Sequence, residues 1–357
     1  MNDVVPIPTT RVYSPSDLLQ RADSYLPLHQ PTTAPRNTRV WNLHADSEDF
    51  ERVPLPPAQT AELGVHAVRN LQVFGAHYIG RQQRHAHVEN VHAPYVVNYI
   101  KSGRFKDAKP LFGKLSRRVI ADPAFVINSR QSRIYGHFLL EMLPKLALVK
   151  QLTEEMALVP RIVLEKSDPE YVPQMIRTYL PHCEFIYYDK TEEYLVVKTA
   201  LLPTALFRNF ILHSQMGVFF RELRHLIFSS QAPTAETRET VSRHNRFFVS
   251  RAVHRQNKGW DSRIMTNEDE LRDLARAREF HIFEPQLLPM ADQLLIFDNA
   301  SIISRKFSSA LHNSIFAESD LAIIAFDRMN NVQERIAQLT GQALIQILPE
   351  DRLKSPV

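Results

Sequence analysis

Short apolar runs alternate with stretches of helical period over residues 120–348. In the first series, Phe125-Val126-Ile127-Asn128 reads as a buried strand, 135–154 as a helix and Arg161-Ile162-Val163-Leu164 as a strand. A helix over 169–180, a strand at Phe185-Ile186-Tyr187-Tyr188, another over 195–202 and a long helix over 212–228 follow. The second series predicts strands at 247–250, 280–283, 301–303, 321–326 and 343–348. Helices over 267–278, 289–297, 308–317 and 332–339 lie between them. Alternation of this kind predicts an α/β fold with mostly parallel sheets.

Upstream the pattern changes. Residues 1–60 are rich in proline (among them Pro6, Pro8, Pro27, Pro31, Pro35, Pro54, Pro56 and Pro57) and show no sustained period, which predicts an irregular arm over the first domain. Short strands are expected at 65–74, 95–100 and 119–121. Residues 229–245 are polar and small and read as a linker. The expected organisation is therefore an arm (1–60), an N-terminal α/β domain (61–228), the linker (229–245) and a C-terminal α/β domain (246–357). Two such halves place a cleft between them, where ligand sites concentrate.

Composition narrows the classes. The chain has 357 residues, a net charge of +4 and only nine glycines, and no G-x-G-x-x-G or G-K-[ST] pattern occurs. Cys183 is the sole cysteine, which excludes a disulfide framework or a cysteine zinc site and predicts a reducing, cytoplasmic compartment. The first residues lack a basic region followed by an apolar core, and no apolar run reaches the ~20 residues of a membrane span. The mild charge does not predict a nucleic-acid binder.

Five stretches are candidates for chemistry. His137 and Glu141, four apart after a strand, share one helix face opposite an apolar stripe of Phe138, Leu139, Met142, Leu146 and Val149. Pro144 should kink or restart the helix just past Glu141. An imidazole beside a carboxylate suits general-base chemistry, against the alternative of a histidine satisfying a backbone carbonyl. Arg243, Arg246, Arg251, Arg255, Lys258 and Arg263 are opposed only by Asp261, and Arg251 follows Ser250 at a strand's carboxyl end, where a guanidinium can grip phosphate. The rival readings are a solvated basic loop and a nucleic-acid patch, the latter weakened by a single interleaved aromatic, Trp260. Asn267 and Glu270 suggest a capping box. Arg305 and Lys306 precede a helix beginning at Ser308 and Ser309, either an anion site at a helix N-terminus or a capped surface turn. His85, His87 and Glu89 share a strand face near His92, but exposed strand histidines are the default and no metal site is expected.

Together these blocks resemble the family 61 glycosyltransferases (the DUF563 group), especially bacterial polysaccharide-assembly members such as those of capsule synthesis. The first block is carried by Tyr135, His137, Phe138, Glu141, Leu143, Pro144, Lys145 and Leu146. Ser250, Arg251, Arg263, Asn267, Glu268, Glu270 and Leu271 carry the second, and Gln293, Ala300, Ser309, Leu311, His312, Asn313 and Phe316 the third. The chain departs from the family pattern at Ile134, where asparagine is common, and at Ser304–Ser308, where a glycine-bearing loop is usual.

The resemblance implies a GT-B architecture, two Rossmann-like domains facing a cleft, and an inverting, metal-independent transfer. No cofactor is implied beyond a nucleotide-diphosphate sugar as co-substrate, and the acceptor would be a glycan or polysaccharide. His137, oriented by Glu141, would be the base. Ser250, Arg251, Arg263, Asn267, Glu268, Arg305, Lys306, Ser308, Ser309 and Asn313 would form the donor site. The expected setting is the cytoplasm, with peripheral association at the inner membrane face left open, no nucleic-acid partner, and no indication of oligomeric state. The alternative is a catalytically silent GT-B-like subunit that binds glycan or nucleotide in a polysaccharide assembly system.

Overall fold

A computed structural model of the chain describes residues 4–44, 50–74, 78–81, 84–87, 115–127, 133–208, 210–251, 267–306, 308–326 and 331–348. The chain forms two compact units, Met1–Thr32 with Gln59–Phe219 and Thr33–Ala58 with Phe220–Val357. The α/β class is as expected. Residues 33–58 of the expected arm belong to the second unit, the cut at Phe219/Phe220 falls inside the helix Gln215–Ser230, and the expected linker contains the helix Ala235–Arg243.

The first unit is built on a mixed sheet. Leu63–Phe74 runs antiparallel to Glu193–Pro203, and on the other side of Glu193–Pro203 lie the parallel strands Ala124–Phe125, Arg161–Glu165 and Glu184–Tyr188. Val68, Leu71, Val73, Val163, Leu195 and Val197 fill its core. Only part of this sheet is parallel because Ser24–His29 and Leu63–Phe74 enter antiparallel. The expected strand at 95–100 lies outside the described residues, as do Glu89 and His92; His85 and His87 lie on the strand Arg84–His87.

The second unit holds a sheet in the spatial order His281–Phe283, Arg246–Val249, Ile302–Lys306, Ala322–Phe326, Ala343–Leu348, all parallel. In chain order this is 2-1-3-4-5, a doubly wound α/β arrangement whose strand order reverses between Arg246–Val249 and Ile302–Lys306. Beyond it, Val40–His44 adds parallel to Ala343–Leu348, and Phe50–Arg52 closes the edge antiparallel. This is why the arm is not a wrap. Val40 and Leu55 are buried in the second core with Phe247, Phe297, Ile303 and Leu344, and the amide of Asn37 donates to the carbonyls of Ala337 (2.6 Å) and Gln342 (3.2 Å). The prolines lie within or between elements too short to show a period.

Candidate functional site

Two groups of side chains sit at the carboxyl ends of parallel strands, one in each unit. In the first, the chain leaves Ala124–Phe125 and enters a composite helix. A single α-turn, Tyr135–His137, passes into a π-helical turn, Phe138–Met142, then a 3-10 turn, Leu143–Lys145, and an α-helix, Leu146–Met156. Pro144 lacks an N–H, so an uninterrupted α-helix would leave a carbonyl of the preceding turn unbonded. The wider turn absorbs this, with Leu143 N–H bonding the Phe138 carbonyl five residues back. Such turns recur at functional positions. Phe138, Leu139, Leu140, Met142, Leu143 and Leu146 are all buried, so this helix is enclosed on more sides than the expected single stripe.

Within that turn His137 Nδ1 lies 2.6 Å from Glu141 Oε1. The Glu141 side chain is 8% exposed and that of His137 36%. An ionised carboxylate only accepts, so Nδ1 donates and Nε2 becomes the basic nitrogen. Next to the helix start, Tyr135 and Phe138 pack on Tyr171, with ring centroids 5.7 and 5.4 Å away. Burial, then the Asp168 charge, pushes the Tyr171 phenol up to about 12. At the end of the neighbouring strand the buried carboxylate of Glu165 accepts from Arg133 and Lys190, both at 2.9 Å.

In the second unit the strand-order reversal brings together Ser250 and Arg251, just beyond Arg246–Val249, with Arg305 near the end of Ile302–Lys306. Ligands of doubly wound sheets bind at such reversals. Ser250 is fully buried, its Oγ 3.2 Å from Glu268 Oε1 and 3.3 Å from Glu284 Oε1. The Arg251 backbone N–H donates to the same Glu268 oxygen at 2.8 Å. Arg305 is 5% exposed, and its Nε has no hydrogen-bond partner among the described residues. Burial first, then the nearby Arg251 charge, lowers the Arg305 guanidinium to about 9, opposed by Glu268 and Glu284. A buried cation with an unmet donor is suited to an incoming anion. Just downstream, Ser308 Oγ accepts from the N–H of Ala310 and caps the 3-10 helix Ser309–Phe316.

The sequence profile of the family described as Glycosyltransferase 61 matches residues 135–324, more than half of the chain, and that span includes both groups. The chain belongs to glycosyltransferase family 61. It is therefore a glycosyltransferase, an enzyme class that transfers a sugar from a donor to a glycan acceptor. None of the curated proteins matches it.

Against the site expected of this family 61 enzyme, the structure pairs His137 with Glu141 and gathers Ser250, Arg251, Glu268 and Arg305. Arg263 lies outside the described residues, with Arg255, Lys258 and Trp260. Lys306 ends its strand half-buried, and Ser309 opens the helix expected there, which is of 3-10 type. The Asn313 amide is buried and donates to Gln293 Oε1 at 2.9 Å, tying that helix to Met290–Asn299. Asn267 makes no side-chain cap, which corrects the expected capping box. Its backbone is turned (φ −108°, ψ 30°), and Glu268, not Glu270, is the buried carboxylate. Among the described residues no group of three or more histidine, cysteine or acidic side chains is placed to hold a metal, and no helix is long and apolar enough to cross a membrane.

Sequence reasoning missed Glu284, which follows its strand as Arg251 follows the adjacent one. Lys145, counted in the first block but given no role, stands four residues after Glu141 and is buried.

Proposed function

We propose that this family 61 enzyme transfers a sugar from a nucleotide-diphosphate donor to a hydroxyl of a glycan or polysaccharide acceptor, with inversion and without a metal cofactor. In this reading the two α/β units divide the substrates as in a GT-B enzyme, acceptor with the first and donor with the second. His137 Nε2 takes the proton of the acceptor hydroxyl, and Glu141 holds the ring and stabilises the imidazolium. The acceptor oxygen forms its bond to the anomeric carbon as the bond to the phosphate oxygen breaks, and the electron pair leaves with the nucleoside diphosphate. Arg251 and Arg305 meet that charge, with Arg263, Lys306 and the capped turn at Ser308–Ser309 assigned to the same role. Glu268 and Glu284 orient the strand end that presents Arg251.

The observation that carries the reading is the 2.6 Å His137–Glu141 pair on the composite helix, inside the family-matched span. The test is release of free nucleotide from a panel of uridine, guanosine and cytidine diphosphate sugars with glycan acceptors. His137→Ala should reduce turnover by about 10²–10⁴-fold while leaving the circular dichroism spectrum unchanged. Acceptor-dependent release at the parent rate by that variant would overturn the assignment.

A second reading, a silent glycan- or nucleotide-binding subunit, is favoured by the segment Ser304–Ser308, which has no glycine where a backbone would approach phosphate. It predicts nucleotide binding with no transfer to any acceptor.

A further inference from the structure

A cavity of about 190 Å³ in the first unit belongs to neither group of side chains. Thr60 and Leu63 line it where the long strand Leu63–Phe74 begins, Ala205 and Leu206 where the chain leaves Glu193–Pro203, and Arg208 and Ile211 from a small antiparallel hairpin. Strand register places it at the sheet end that carries His137. Phe125 lies opposite Leu201 on a parallel neighbour, and the Val126 N–H donates to the Leu201 carbonyl at 2.9 Å. Ile127, which precedes the composite helix, and Pro203, which precedes the cavity, therefore leave the sheet at one end. Leu63–Phe74 runs antiparallel and starts there, with Val65 opposite Pro203. In open α/β sheets ligands bind outside the carboxyl ends of the parallel strands.

The walls are chemically uneven. The Thr60 hydroxyl donates to the Thr32 carbonyl at 2.8 Å and accepts from the Thr32 N–H at 2.7 Å. His213 is held at both nitrogens, Nε2 donating to the Gln30 carbonyl and Nδ1 accepting from the Gln215 N–H, and burial lowers its proton affinity, so it brings no charge at neutral pH. Arg208 differs: its side chain is half-buried, and its buried Nε has no hydrogen-bond partner among the described residues. Among the described residues no carboxylate lines the cavity, and Glu62, beside Leu63 in the chain, pairs with Arg11 at 2.9 Å. A desolvated guanidinium donor without an acceptor is a seat for an anion. Phe210 turns the hairpin with a left-handed backbone (φ 56°) and is 47% exposed. Strain of that kind at a non-glycine residue recurs at ligand clamps.

We propose that this cavity is an acceptor subsite for a carboxylate-bearing sugar, a uronic acid unit of the acceptor glycan. Arg208 grips the carboxylate, and Leu206 and Ile211 meet the C–H side of the ring. The inference rests on the reading of the first unit as the acceptor side. One guanidinium matches the single charge and planar fork of a carboxylate, whereas a phosphate would set about −1.5 to −2 against one cation. The volume is below the roughly 300–1,000 Å³ of sites that enclose drug-sized ligands, so it takes one ring and leaves the rest of the glycan outside.

The test is binding of the methyl glycosides of glucuronic, galacturonic and mannuronic acid to the full chain, followed by ligand-observed NMR titration. The corresponding neutral methyl glycosides and glucose 6-phosphate are the controls. At least one uronide should bind about tenfold or more tightly than its neutral counterpart, the difference one charged hydrogen-bonded pair makes. Arg208→Gln should erase that difference, and Arg208→Lys, which keeps the charge without the fork, should leave part of it. Equal binding of uronide and neutral glycoside by the parent overturns the proposal without recourse to a variant. A preference that survives in folded Arg208→Gln overturns it too, as does tighter binding of glucose 6-phosphate than of any uronide. Uronide binding through Arg208 in a protein that transfers no sugar removes the proposed reaction and leaves the subsite. Transfer to neutral acceptors with no uronide bound does the reverse.

Discussion

Replacing Arg305 by methionine separates what its guanidinium costs the fold from what it contributes to binding. The side chain is 5% exposed, its Nε has no partner among the described residues, and burial together with Arg251 brings it down to about 9 from 12.5. A difference of roughly 3.5 units corresponds to at most about 5 kcal/mol of penalty on the charged form. That penalty is already net of the attraction to Glu268 and Glu284, so Arg305→Met should be more stable than the parent by up to about 5 kcal/mol in urea unfolding at pH 7. The sign follows from linkage. The native state holds this proton less tightly than the unfolded chain, so the penalty is fully present below about pH 9 and relaxes only above it. The same variant should lose the stabilisation that a nucleoside diphosphate confers on the parent. A destabilised Arg305→Met, or one whose unfolding still responds to the diphosphate, would refute the reasoning.

Three further outcomes follow from the same geometry. Asn37→Ala removes two amide donations to the Ala337 and Gln342 carbonyls and one acceptance from the Arg39 N–H. It should cost the second unit about 2–4 kcal/mol, read by urea unfolding, and a loss under about 1 kcal/mol would show that the arm strand is not held there. Ser250→Ala withdraws the hydroxyl between Glu268 and Glu284 and should cost about 1–3 kcal/mol; an unchanged midpoint in the same assay would argue against that role. His213, buried, donates from Nε2 to the Gln30 carbonyl while Nδ1 accepts from the Gln215 N–H, and burial lowers its proton affinity. The unfolded chain therefore binds the extra proton first, and stability falls as pH drops below about 6.5. His213→Gln should remove up to about 1.4 kcal/mol per pH unit of that slope, leaving the share of His29 and His281, which burial also lowers. An unchanged slope would count against a neutral His213.

Much of the α/β pattern could be read directly. The strands Arg161–Glu165, Glu184–Tyr188, Ala322–Phe326 and Ala343–Leu348 lie where apolar runs put them; Arg161–Glu165 is buried along nearly its whole length and needs no alternation, whereas Glu184–Tyr188 is a half-exposed edge strand. Periodicity could not show that Val40–His44 completes the second sheet, because its partner lies some 300 positions away and register with Ala343–Leu348 is a tertiary fact. His137 and Glu141 were legible from spacing alone, while the π turn that aligns them depends on Pro144 inside an enclosed helix. Arg251 and Arg305 were legible as charges after strands. The strand order that brings them together, and the carboxylates of Glu268 and Glu284 beside them, were not.

The central claim is that one unit supplies a proton acceptor and the other a cationic seat for the donor's diphosphate. Isothermal titration of uridine, guanosine and cytidine diphosphates into the parent, Arg251→Ala and His137→Ala tests it most directly. The account predicts that at least one diphosphate binds the parent, that Arg251→Ala weakens it by about tenfold or more, and that His137→Ala leaves it unchanged. Absence of binding by all three nucleotides, or binding that survives Arg251→Ala and is lost in His137→Ala, would contradict it.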